Sequence, residues 1–147
     1  MFCNRALFRQ GLLILLLAIA VPVLALDRPQ DHPLPLASRE VSESIGAKES
    51  IEKYFRFEAG PGNLELTLDM QTDGGTMIDF EIQVFDGKWN SLVKAFDVLG
   101  NSATKRIVKD LKLKKTQPLI LKILAKSSWG TGTCQVRLSG PVKLAAR

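Results

Sequence analysis

One histidine serves the whole chain. His32 sits between Asp31 and Pro33 in a stretch with Pro29 and Pro35, where no rigid surround orients an imidazole against a nucleophile. Ser-His-Asp and Cys-His catalysis both need that orientation, so neither is expected. Cysteine is nearly as scarce. Cys3 and Cys134 are the only two, and with one histidine they fall short of a zinc ligand set. The phosphate-cradling patterns G-x-x-x-x-G-K and G-x-G-x-x-G are missing too, which argues against nucleotide chemistry. No helical period longer than about two turns appears beyond the N-terminal region, and no internal repeat. Neither a metal nor an organic cofactor is expected.

The one long apolar run lies at the start. Arg5 and Arg9 precede Gly11–Val21, Pro22 breaks the run, and Val23-Leu24-Ala25 supplies small residues for cleavage. This is the pattern of a secretory signal peptide, and the run is shorter than the roughly 20 apolar residues of a spanning helix. Residues 1–25 are therefore read as a leader and Leu26–Arg147 as the mature chain, with no transmembrane segment, in the periplasm or outside the cell. Cys3 leaves with the leader, so the apparent cysteine pair is not a disulfide. Cys134 is in phase with Val136 and Leu138 and reads as a small core residue.

Charge is unevenly spread. Leu26–Asp86 carries thirteen acidic and five basic residues, and Gly87–Arg147 two acidic and thirteen basic. Such a split points to an anionic partner for the second half or to strands of the two halves lying side by side, with cross-strand pairs cancelling the fields.

Leu26–Arg39, with three prolines, reads as an extended, flexible segment. From residue 40 to 147 the chain alternates in short segments, the sign of an all-β, two-sheet antiparallel sandwich of jelly-roll type with about eight strands. Leu64, Leu66, Leu68 and Met70 alternate with Glu65, Thr67 and Asp69. Ile78, Phe80, Ile82 and Val84 alternate with Asp79, Glu81 and Gln83. Asp73-Gly74-Gly75 between them suggests a hairpin turn. Glu40–Ile45, Ile51–Glu58, Leu92–Val98 and Thr133–Leu138 are further strands. Thr104–Leu113 reads as a strand or a short amphipathic helix. Pro118–Lys126 has apolar residues on both faces and reads as central.

The stretch Tyr54-Phe55-Arg56-Phe57, the turn Gly60-Pro61-Gly62, and Leu64-Glu65-Leu66-Thr67-Leu68 resemble the opening of bacterial pre-peptidase C-terminal domains. Ile78-Asp79-Phe80-Glu81-Ile82 is similar to that family's aspartate-containing third strand. Leu119–Leu138, with Gly130 and Gly132 as its hairpin, resembles the closing pair. The resemblance spans Ser44–Gly140. It implies a jelly-roll-like binding or accessory module in a secreted bacterial protein, with no catalytic residue carried over. The closing strand departs from the family in lacking tyrosines.

Three groups of residues are candidates for function. Trp89 and Trp129 stand in polar turns, as stacking faces for a sugar or apolar partner or as caps on the sandwich core. Lys105, Arg106, Lys112, Lys114 and Lys115, with Lys109 among them, form a basic stretch suited to an anionic glycan, an envelope component or an acidic protein. No aromatic interleaves them, and nucleic acid is not an expected partner. Glu65, Asp69, Asp79 and Glu81, if they share a sheet face, offer a carboxylate hydrolase site or a plain solvated face. The reading is a secreted, non-catalytic module that binds a protein or glycan, with an envelope assembly factor as the alternative and a carboxylate hydrolase as the remote one.

Overall fold

The computed structural model describes residues 28–73, 77–100 and 103–144, so the expected leader at 1–25 lies outside the described residues. After a 3-10 turn at Pro29–Asp31 come ten strands. They are β1 (Leu34–Pro35), β2 (Glu40–Ile45), β3 (Ser50–Ala59), β4 (Gly62–Thr72), β5 (Met77–Asp86), β6 (Ser91–Gly100), β7 (Thr104–Leu113), β8 (Gln117–Ser127), β9 (Gly132–Ser139) and β10 (Val142–Lys143). The eight expected strands correspond to β2–β9, and the segment with an ambiguous period is strand β7. No helix among the described residues is long and apolar enough to cross a membrane.

The strands form two sheets packed face to face. One runs β1-β3-β8-β5-β6, with β10 also paired to β3; the other runs β2-β9-β4-β7. The clean alternation of β4 and β5 explains the packing. Leu64, Leu66, Leu68 and Met70 of one sheet bury against Ile78, Phe80, Ile82 and Val84 of the other, and their polar neighbours face outward. Strand β8 lies between β3 and β5, with Leu119, Ile120 and Leu121 all buried, as its two apolar faces require.

Two expectations are corrected. Turn residues mark a reversal of the chain but not whether it stays in the same sheet. β4 and β5 belong to different sheets, as do β8 and β9, so neither connection is a hairpin. The carboxylates of β4 and β5 consequently lie on opposite outer faces: Glu65 and Asp69 on one side of the sandwich, Asp79 and Glu81 on the other. The proline-rich segment is extended where it meets the sheet. Leu34 and Pro35 pair in parallel with Phe55 and Arg56, and Leu36 is in the core with 1% exposure. Proline suits such an edge strand because it has no N–H to leave unpaired, and two leucines are too few to show a period.

The topology also resolves the charge split. Seven of the eight strand pairings join the half before Gly87 to the half after Asp86. Among the described residues, seven of nine ion pairs do the same. Acidic strands are interleaved with basic ones, and the fields cancel locally.

Candidate functional site

β5 and β6 are the consecutive long strands that pair with each other, and their loop carries Trp89. Asp86 builds this loop. Its Oδ1 accepts hydrogen bonds from the N–H groups of Lys88 (2.8 Å) and Asn90 (2.9 Å), and its Oδ2 accepts one from Asn90 Nδ2 (2.8 Å). Those bonds, the Asn90 side chain's first, hold the Asp86 carboxyl below its usual range. The Trp89 N–H donates to the Asp86 carbonyl at 3.0 Å, and the Asp86 N–H to the Asn90 carbonyl at 3.0 Å. The closing position of such a three-residue loop takes a left-handed backbone, ordinarily glycine. Here Trp89 occupies it with φ 65°, where a bulky residue is strained.

The indole lies over the outer face of the six-stranded sheet. Its ring meets Tyr54 edge-on at 5.6 Å and Phe85 at 5.4 Å between centroids. Trp89 is thus neither a cap on the core nor a free-standing ring; it leans on two aromatic residues and keeps 41% of its surface exposed. With Gln30, Asp31 and Lys122 these rings line an open hollow of about 390 Å³.

Beside the hollow the polar side chains neutralise one another. Lys122 Nζ lies 3.0 Å from Glu81 Oε1 and 3.5 Å from Glu52 Oε1, and Lys94 Nζ lies 2.8 Å from Glu81 Oε2. The Tyr54 hydroxyl donates to Glu52 at 2.8 Å. Burial, then the Glu52 hydrogen bond, pushes the Tyr54 phenol pKa up. Lys94 foremost, with Lys122, holds the Glu81 carboxyl below its usual range against the opposing effect of burial. These two carboxylates and two ammonium groups cancel one another, and Asp31 adds one further carboxylate to the lining of the hollow.

The other sequence candidates do not gather here. Trp129 lies in the turn after β8, 65% exposed, with Lys48 Nζ 5.2 Å from its ring centroid. Leu119 of β8 pairs with Asp86 beside the Trp89 loop, and Ser127 pairs with Ile78 near the Trp129 turn. The two tryptophans therefore stand at opposite ends of β8, about 30 Å apart along it. The basic stretch is dispersed. Lys105 pairs with Asp97 of β6, and Arg106 with Asp69 on the outer face of the four-stranded sheet, Nε to Oδ1 at 2.5 Å. Lys112 lies near the other end of β7, opposite Asn63, while Lys114 and Lys115 lie in the following turn. Among the described residues these last three make no ion pair. Cys134 is buried, and loss of water pushes its thiol up to about 12.

Tyr54, Phe85 and Lys122 were not among the sequence candidates. A readable signal existed: Tyr54 alternates with Phe55 and Phe57, and Phe85 follows Gln83, so both aromatics fall in the wet phase of their strands.

No family model matches the chain, and no curated protein matches it. Among solved structures it is similar to the arabinose-bound MgGH51 α-L-arabinofuranosidase (8% identity, TM-score 0.40), covering 73% of this chain and 21% of that one. It is also similar to a chain described under "CBM4 structure and function", with 11% identity, 80% and 90% coverage and TM-score 0.40. A third is the N-terminal cellulose-binding domain of Cellulomonas fimi β-1,4-glucanase C, with 8% identity, 78% and 76% coverage and TM-score 0.35. The chain spans only about a fifth of the arabinofuranosidase. At these identities and TM-scores the similarities carry no function across.

Proposed function

We propose that this protein is a secreted, non-catalytic binding module that takes a neutral glycan in the hollow of Trp89, Tyr54 and Phe85. The observation that carries the reading is Trp89 itself, a tryptophan in a left-handed position that favours glycine, held half-exposed above two outward-facing aromatics. Observed backbone strain at a surface cleft is a reason to look for function there. A sugar ring offers an apolar face for stacking and hydroxyls for hydrogen bonds; the hollow offers aromatic rings beside the polar atoms of Gln30, Asp31 and Lys122. An anionic ligand fits less well. Lys122 is shared between two carboxylates, and the basic stretch is dispersed, with Lys105 and Arg106 already paired.

The carboxylates favour binding over hydrolysis. Glycoside hydrolysis needs two carboxyl groups facing each other across one cleft, whereas Glu65 and Asp69 lie on one outer face of the sandwich and Asp79 and Glu81 on the other. Export by the leader and kinship with pre-peptidase C-terminal modules belong to the same proposal.

The test is tryptophan fluorescence in a Trp129→Phe background, which leaves Trp89 as the only reporter. Titration with neutral mono- and oligosaccharides of glucose, mannose, xylose and N-acetylglucosamine is expected to give a saturable change with at least one series. Trp89→Ala should abolish binding of that sugar in calorimetry. Silence across all four series, or affinity untouched by Trp89→Ala, would overturn the assignment.

A further inference from the structure

Resting on that glycan reading, we infer that Phe96 forms a second stacking position and that the ligand is a linear oligosaccharide lying obliquely across β8, β5 and β6. Phe96 is 56% exposed. The register settles its face. Phe96 pairs with Glu81 and Glu81 with Leu124, and Glu81 reaches both Lys94 and Lys122 on the outer surface. Phe96 thus shares a face with the Trp89 hollow, and among the described residues no ring stacks on it. An exposed phenylalanine on an edge strand is an association hazard unless something covers it.

The spacing suits a chain-like ligand. The hollow lies over β8, two strands from β6, and Phe96 lies two to four residues farther along the strand direction than Phe85 and Gln83. With strands about 4.8 Å apart and a rise of about 3.3 Å per residue, the separation is about 12–16 Å. About three sugar rings in line cover that distance. The surface between the two aromatic positions holds Glu81, Gln83, Lys94 and Lys122, two of them cationic and one anionic, with Glu52 completing the neutral set. Gln83 Nε2 donates to Ser91 Oγ at 2.7 Å, so amide and hydroxyl groups also lie along the path. A polar lane without net charge, between two aromatic faces, matches an uncharged polyhydroxyl chain better than an ionic polymer.

The experiment is calorimetric titration with a length ladder, one to six units, of whichever of the four sugar series binds, using wild type, Phe96→Ala, Phe96→Trp and Trp89→Ala. Affinity is expected to rise until about four units. Phe96→Ala should cut affinity for the longer oligomers about tenfold and leave mono- and disaccharides unchanged. Phe96→Trp should retain the gain with length. A flat length dependence, or a Phe96→Ala loss that is absent or equal at every length, overturns the inference while the Trp89 hollow stands. Loss of all binding in Trp89→Ala, with the Phe96 variants behaving as expected, supports both. If no series binds wild type, both fall together. Phe96 is exposed, so its variants should fold, and matching thermal midpoints would verify this.

Discussion

Replacing Trp89 by glycine and by alanine separates the two energies that meet at this residue. Both variants lose the indole contacts with Tyr54 and Phe85. Tryptophan buries about 150–250 Å² when packed. With 41% of Trp89 still exposed, about 100–150 Å² of contact is lost, worth about 2.5–3.5 kcal/mol at 25 cal/mol/Å². The compact unfolded chain trims this to about 2–3 kcal/mol. Only glycine also relieves the backbone. A left-handed φ costs an L-residue about 1–2 kcal/mol, and the greater freedom of glycine in the unfolded chain returns about half of the lower figure. Trp89→Gly is therefore expected to lose about 1–2 kcal/mol, and Trp89→Ala about 2–3. The order of stability should be Trp, then Gly, then Ala. Urea unfolding followed by far-UV circular dichroism reads the order as midpoints at a shared slope. With slopes of about 1–3 kcal/mol/M, the alanine variant should unfold several tenths molar below the glycine variant. Coincident midpoints would refute the strained backbone at residue 89. Wild-type stability in both would refute the packing of the indole on Tyr54 and Phe85.

Three further outcomes follow from the packing and the ion pairs. Gly132→Ala should cost about 1–3 kcal/mol, because a Cβ there would come within 2.5 Å of Ile78 Cδ1 and 2.8 Å of the Gln71 carbonyl oxygen; an unchanged thermal midpoint would contradict that close approach. Asp69 is held below its usual pKa first by the Arg106 hydrogen bond and also by Arg137, so its contribution to stability is present above the unfolded carboxylate pKa and is lost as the pH falls through the lower folded value. Asp69→Asn should flatten that acid-side loss in urea midpoints measured at and below about pH 4, and added salt should shrink the difference because the network is exposed. Cys134 shows the opposite sign: with its folded thiol pushed up to about 12, the stability it confers is full below the unfolded thiol pKa of about 8.5 and is lost as the pH rises towards the folded value. Native Cys134 should resist a disulfide reagent at about pH 8 and react only on unfolding in urea; rapid labelling of the folded protein would contradict its burial.

What could be read from the residues, and what could not, divides along a physical line. The alternation of Leu64–Met70 and Ile78–Val84 reports which side chains meet a core, because a strand turns each successive residue to the other face. Seven of the eight long strands are legible as strands, whereas Thr104–Leu113, with its mixed period, reads as a strand or a short amphipathic helix and is strand β7. Alternation carries no information on which strand lies next to which. The Gly74-Gly75 and Gly130-Gly132 turns therefore read as hairpins, although each chain reversal passes to the other sheet. The same ambiguity scattered the basic stretch: adjacent in sequence, Lys105 reaches Asp97 and Arg106 reaches Asp69 on a different strand. The hollow was half legible. Trp89 stood out as a tryptophan in a polar turn, but its supports are single aromatics in strands otherwise polar in that phase. An aromatic side chain in the wet phase of a strand gains nothing from the core, and its apolar area stays exposed unless a neighbour or partner covers it. For Tyr54 and Phe85 that cover is Trp89. Phe96 obeys the same phase rule, and among the described residues no ring covers it; that contrast with Tyr54 and Phe85 is the observation behind the proposed second stacking position.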